Sequence, residues 1–320
     1  MSPDLRTRLS NVELENPVVT AAGCAGSGRE LAQYFDISRI GAVTTKSVML
    51  EPRAGRPAPR VAETPSGMLS ATGLQGPGVD VLLQRDLPWL ISRGGRAVVS
   101  VAGGGAGEYA ELARRISDAP GVDLIEVNLS CPNPAGQGRH FADDPEEAAR
   151  VVRAVRSHTR SEVPVFAKLA PDVPDLVGLA AACVEARADG LSMVNAVRGM
   201  AIDPRTLRPA VAGGMGGLSG PAIRPIAVGC VYEVHAALPQ VPIIGMGGVR
   251  TGSDVLEFLA AGASAVAVGT VNFADPSACV RILRELEEML IDRGVTRVAD
   301  LIGSAHRPIG AALQGGAAAL

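Results

Sequence analysis

Only two of the 30 basic side chains are lysines, Lys46 and Lys168; the other 28 are arginines. A coding bias toward arginine explains the excess, but not the two places where a compact ammonium is kept instead of a planar fork. Each lysine closes a short apolar run, in Thr44-Thr45-Lys46-Ser47 and in Val165-Phe166-Ala167-Lys168. Three of the six asparagines sit at comparable points: Asn128 and Asn133 bracket Asn-Leu-Ser-Cys-Pro-Asn, and Asn195 ends another run. Taken singly, a strand-end asparagine caps a turn and a lysine reaches for solvent. Five such residues on one rim point instead to a site. Cys131 stands in a turn, because Pro132 and Pro134 exclude a strand interior. A thiol of pKa about 8.5 can act as a general base near neutral pH. None of these motifs holds a histidine, so proton abstraction is favoured over acyl transfer, with His140 on the following loop as the nearest alternative partner. Gly245-Met246-Gly247-Gly248 and Val268-Gly269-Thr270 bring bare backbone amides close to one another, which suits a phosphate. No GxGxxG follows a strand and no GxxxxGK[ST] occurs, so neither a dinucleotide fingerprint nor a P-loop is indicated.

These residues need elements to hold them. Eight β-branched apolar runs alternate with segments of helical period: 17–22, 42–46, 96–102, 122–130, 163–169, 190–195, 241–246 and 263–269. Eight such alternations predict an α/β fold, a single (β/α)8 barrel over residues 1–320, with a doubly wound open sheet as the alternative. Asp144-Pro145-Glu146-Glu147, Thr251-Gly252-Ser253-Asp254 and Asp275-Pro276 read as helix starts, and Ser219 as a cap for a helix over 221–234. Two long segments, 47–78 and 196–217, follow strand ends, where barrel enzymes carry lids and binding loops. The chemistry-bearing residues all fall on that same rim.

Composition narrows the functional class. A net charge of −3 with interspersed charges does not fit a nucleic-acid binder. No signal peptide and no run long enough to span a membrane is seen, and the five cysteines form no CxxC pair. That usage fits reduced thiols in the cytoplasm, with no disulfide frame and no metal site.

The motifs together resemble one family. NLSCPN (128–133), Thr45-Lys46, the stretch PRAGRPAPRVAETPSGMLSATGLQGPG (52–78), GGLSGPA (216–222), GMGG (245–248) and AVAVGT (265–270) are similar to class 1B dihydroorotate dehydrogenases, in the same order from Asn16 to about Pro276. The resemblance implies FMN, held by Ala21, Ala22, Gly23, Lys46, Ser47, Ser100, Asn128, Lys168 and Val194. Its phosphate would lie on Gly247, Gly248, Gly269 and Thr270, with Ser219 and Gly220 beside it. The small-molecule substrate, dihydroorotate or a relative, would meet Lys46, Ser70, Thr72, Gly73, Leu74, Asn128, Asn133, Asn195 and Ala196. Cys131 would remove the C5 proton while hydride leaves C6. The resemblance further implies a homodimeric core and a second subunit with FAD and an iron–sulfur cluster, which hands electrons to NAD. Three positions depart from the family pattern: Ser70 and Gly76 replace asparagines, and Ala196 replaces a hydroxyl residue. They keep open an alternative, an FMN oxidoreductase for another pyrimidine or small cyclic substrate. A phosphate-binding barrel isomerase is the non-redox alternative, and it leaves NLSCPN without a role.

Overall fold

The computed structural model describes residues 2–130 and 140–308. Cys131 and Asn133 lie outside them. A hairpin of β1 (Thr7–Leu9) and β2 (Val12–Leu14) comes first. Eight parallel strands follow: β3 (Val18–Thr20), β4 (Val43–Thr44), β7 (Ala97–Val101), β8 (Val122–Asn128), β9 (Val165–Leu169), β10 (Gly190–Met193), β15 (Ile243–Met246) and β16 (Ala265–Val268). Each falls within one of the eight predicted runs. Their order is β3-β16-β15-β10-β9-β8-β7-β4, and a parallel bridge from Val19 to Ala42 joins the two ends. Thr20 N donates to Ala42 O at 3.1 Å and Thr44 N to Thr20 Oγ1 at 2.9 Å. The sheet is therefore a barrel, and the open-sheet alternative falls.

Helices α1 (Val79–Val81) and α2 (Leu87–Ser92) flank a π-helical segment. The longer α3 (Ala106–Ser117), α4 (Pro145–Ser157), α5 (Leu176–Glu185), α6 (Arg224–Ala237), α7 (Gly252–Ala261) and α8 (Ala278–Asp292) complete the outer layer. Asp144 caps α4 through Glu146 N at 3.0 Å, with Pro145 at its first position. Thr251 and Asp254 form a capping box on α7. Ser219 is not a cap: Pro221–Ile223 form a 3-10 turn, α6 begins at Arg224, and the Ser219 hydroxyl donates to Met68 O at 3.3 Å.

Strand parity sorts the side chains. Val99, Val101, Ile125, Val127, Ala167, Leu169, Leu191 and Met193 join the large core between sheet and helices. Their neighbours Val98, Leu124, Phe166 and Ile244 fill the barrel's interior floor, where Leu9 and Leu14 of the hairpin plug it from below. Burying each of those leucines contributes about 1.5–3 kcal/mol. The inward positions at the other end of the strands are left for polar groups.

The two long segments are more ordered than the lids expected from sequence. β5 (Val61–Thr64) and β6 (Gly67–Ser70) from the first pair with β11 (Val197–Gly199) and β14 (Gly216–Ser219) from the second, in an antiparallel sheet of order β11-β14-β6-β5. A small hairpin of β12 (Ile202–Asp203) and β13 (Arg208–Pro209) extends the second segment. Gly217 faces Ser70 and Ser219 faces Met68 in register. This sheet roofs the C-terminal mouth of the barrel.

Candidate active site

Between roof and barrel lies a cavity of about 250 Å³. Strand ends build most of its wall. Lys46 follows β4, where its backbone N donates to Gly26 O at 2.8 Å. Ser47 Oγ lies 2.9 Å from Ser100 Oγ and accepts from Asn128 Nδ2 at 3.2 Å. Asn128 Oδ1 accepts in turn from Asn195 Nδ2 at 3.2 Å and from Ser130 N at 3.1 Å. β7, β8 and β10 are thereby tied by one side-chain chain across the rim. Tyr109, wholly buried on α3, donates from its hydroxyl to Asn128 O at 2.6 Å and fixes that strand end from outside. Lys168 enters from β9, buried, with Glu126 Oε1 3.4 Å from its Nζ.

The opposite wall is glycine-rich. Gly247 (φ 134°) and Gly248 (φ 75°) adopt backbone that disfavours a side chain. A Cβ on Gly248 would also come within 2.8 Å of Gly220 O. The backbone N–H groups of Gly247, Gly248, Gly269 and Thr270 find no acceptor among the described residues. Thr270 Oγ1 donates to Ser219 Oγ at 2.9 Å, and Ser219 reaches Met68 O, so this wall is stitched to the roof. These free amides and the neighbouring hydroxyls make a seat for a dianion.

Electrostatics set the two lysines apart from the thiol beside them. Burial pushes the Lys46 ammonium below its ordinary value, with Cys24 opposing. Burial pushes the Cys24 thiol up, with Lys168 and then Lys46 pulling it back. The arrangement puts both lysine side chains on the wall of one cavity.

Of the residues expected from sequence, Ala21, Ala22, Gly23, Lys46, Ser47, Asn128, Lys168, Val194, Ser219, Gly220, Gly247, Gly248, Gly269 and Thr270 all line this one cavity. Ser70, Thr72, Leu74, Asn195 and Ala196 line it too. Ser100 stands behind the wall, wholly buried, and holds Ser47. Gly73 turns the chain between Thr72 and Leu74 at φ 71°. Gly76 meets nothing within 4 Å of where a Cβ would stand, so packing does not require glycine there. Sequence reasoning passed over Val61, Met68, Ile223, Met246 and Phe273 as wall residues. For Met246 the inward parity of β15 was a readable signal; Val61 and Met68 become wall only through the roof's long-range pairing.

A family model described as dihydroorotate dehydrogenase matches residues 4–290. Proteins named dihydroorotate dehydrogenase B (NAD(+)), catalytic subunit, from Geobacillus kaustophilus and Anoxybacillus flavithermus are each 49% identical over 299 residues, covering 93% of this chain and 95% of theirs. One of the same name from Geobacter metallireducens is 46% identical over 302 residues, 94% of this chain and 98% of its own.

Proposed function

The chain belongs to the dihydroorotate dehydrogenase family, and from that premise we propose that it oxidises dihydroorotate to orotate with bound FMN as the first electron acceptor. One observation carries the reading: both lysines, the Ser47–Asn128–Asn195 chain and the unsatisfied glycine amides surround a single roofed cavity. The residues present fit FMN. The amides of Gly247, Gly248, Gly269 and Thr270 would hold its phosphate, and Lys168 would lie by the pyrimidine part of the ring system. When bound, FMN supplies a hydride acceptor and returns electrons singly or in pairs.

The chain's own groups do the rest. Lys46, partly desolvated, attracts the substrate carboxylate and gains from its charge. Asn128 and Asn195 offer both donors and acceptors, which suits a cyclic imide. Asn133 and Cys131 complete the set as further imide contact and as base for the C5 proton. The roof excludes water, which strengthens each of these interactions. Lys168 would supply positive charge beside the bound cofactor.

We further infer one domain over 1–320, a homodimeric core, and a separate electron-transfer subunit with FAD and an iron–sulfur cluster that reduces NAD. The printed name of the relatives, catalytic subunit, supports the separate subunit. Among the described residues no His, Cys, Asp and Glu cluster could hold a metal, and no helix is long and apolar enough to cross a membrane. A cytoplasmic location fits that set of partners.

The test is direct. The purified protein should be yellow, release FMN on denaturation and bleach anaerobically with dihydroorotate. Release of FAD instead would overturn the cofactor assignment. FMN that no dihydroorotate reduces would shift the reading to another cyclic substrate, with Ser70 and Ala196 as the responsible positions.

A further inference from the structure

Lys168 has a use in the mechanism; the group it touches has none. Glu126 lies two residues before Asn128 on β8 and is 1% exposed, the most deeply buried acid among the described residues. Two other buried acids have structural employment: Asp86 pairs with Arg29 and Arg85, and Asp254 caps α7 and pairs with Arg224. Glu126 sits in the barrel interior instead. Its neighbours Ile125 and Val127 face the helices, as do Ala167 and Leu169 beside Lys168, so both charged side chains project inward. They stand above the apolar floor of Leu124 and Phe166. Lys168 lines the cavity, whereas Glu126 does not. Ser192 of β10, which registers with Lys168, adds to the same layer a wholly buried hydroxyl that has no partner among the described residues.

A buried ion pair is a poor device for stability, because an apolar pair of similar volume fills the space without the desolvation cost. This pair has direction: a cation at the cavity floor and its counter-ion behind it, away from the ligand. We propose that Glu126 is a positioning residue that holds the Lys168 ammonium at the floor and tempers its field, so that it sets how tightly the bound flavin keeps its electrons. An uncompensated Lys168 would overstabilise the reduced cofactor and slow the departure of electrons to the next acceptor. Tempering suits a subunit that must pass its electrons on. The inference rests on the proposed FMN reading.

The test is a potentiometric titration of the flavin-loaded wild type, Glu126→Gln, Glu126→Asp, Lys168→Met and the Glu126→Gln/Lys168→Met pair. Glu126→Gln keeps shape and removes charge. It should shift the reduction equilibrium toward reduced flavin by about tenfold, which is about 30 mV for a two-electron couple. Reoxidation should slow while reduction by dihydroorotate does not. Glu126→Asp, with the charge drawn back, should lie between the two, and it carries the test alone if Glu126→Gln fails to retain flavin. In the Lys168→Met background no field remains to temper, and Glu126→Gln should leave the potential unmoved. An unchanged potential in both Glu126 variants with flavin bound overturns the proposal. An equal shift with and without Lys168 also overturns it, because Glu126 would then act directly. A wild type that binds no FMN would instead defeat the cofactor reading.

Discussion

Cys131→Ala should bind FMN and orotate nearly as the parent does, yet lose about 10²–10⁴-fold in flavin reduction, the usual worth of a general base. Cys131→Ser should keep some activity that rises at high pH, since a hydroxyl is a weaker base than a thiolate. Anaerobic stopped-flow bleaching reads both; equal rates in Cys131→Ala and parent would send the search to another base. Lys46 gives a pH prediction of definite sign. Its folded value is depressed by burial, so its charge is lost at lower pH than an ordinary lysine's, and an anion beside it favours the charged form. Orotate affinity should therefore weaken as pH rises through that lowered value. A dissociation constant flat up to the ordinary lysine range would sink the assignment. Much at this scale was legible in the sequence, because scarce lysines and strand-end asparagines announce themselves by type and place. Glu126 and Tyr109 did not. A lone acid inside an apolar run looks like an interruption, and only its parity with Leu124 and Asn128 betrays an inward course. The role of Tyr109 depends on a bond to Asn128 O, and nothing local encodes it.

The roof sheet is the element on which ligand retention should depend. A Cβ at Gly67 would collide with Ser219 O, and Ser219 is the residue that links roof to the glycine wall. Gly67→Ala should therefore weaken FMN binding tenfold or more while the thermal midpoint of the flavin-free barrel moves only a few degrees. Fluorescence of released FMN measures the first and calorimetry the second. Parent-like FMN affinity would show that the β6–β14 pairing is dispensable for the site. The barrel strands were legible because each is a mainly apolar run bounded by turns, as expected when both faces are buried. The strands of the roof were not, since 47–78 is rich in Pro, Gly and Arg and β6 finds its partner only in β14. Pairing between distant segments leaves no periodic trace in either one.

At the scale of the molecule, the last described turn is docked on the outer helices by a ring cluster. Tyr232 of α6 stacks on His306 with centroids 3.9 Å apart, and His235 lies 4.9 Å from His306. His306 Nε2 lies 3.0 Å from Ala261 O on α7. His235 Nδ1 is buried without a partner among the described residues, and burial, with His306 beside it, holds His235 below its ordinary value. The unfolded chain therefore takes up a proton near pH 6.5 that the folded chain resists. Stability should fall as pH drops from about 6.5 toward the lower folded value. Thermal midpoints at pH 7.5 and 5.5 should differ less in His235→Gln than in the parent; an equal difference would assign the acid sensitivity elsewhere. The barrel's closure has another consequence, for a chain emerging from the ribosome. β3 and β6 are translated well before β16 and β14, the strands that cover their edges. A nascent chain stalled before Gly216 thus offers two open strand edges, at Val18–Thr20 and Gly67–Ser70, as templates for wrong pairing. The length of time that those edges wait uncovered, set by the pace of translation and by chaperones, governs the yield of usable protein.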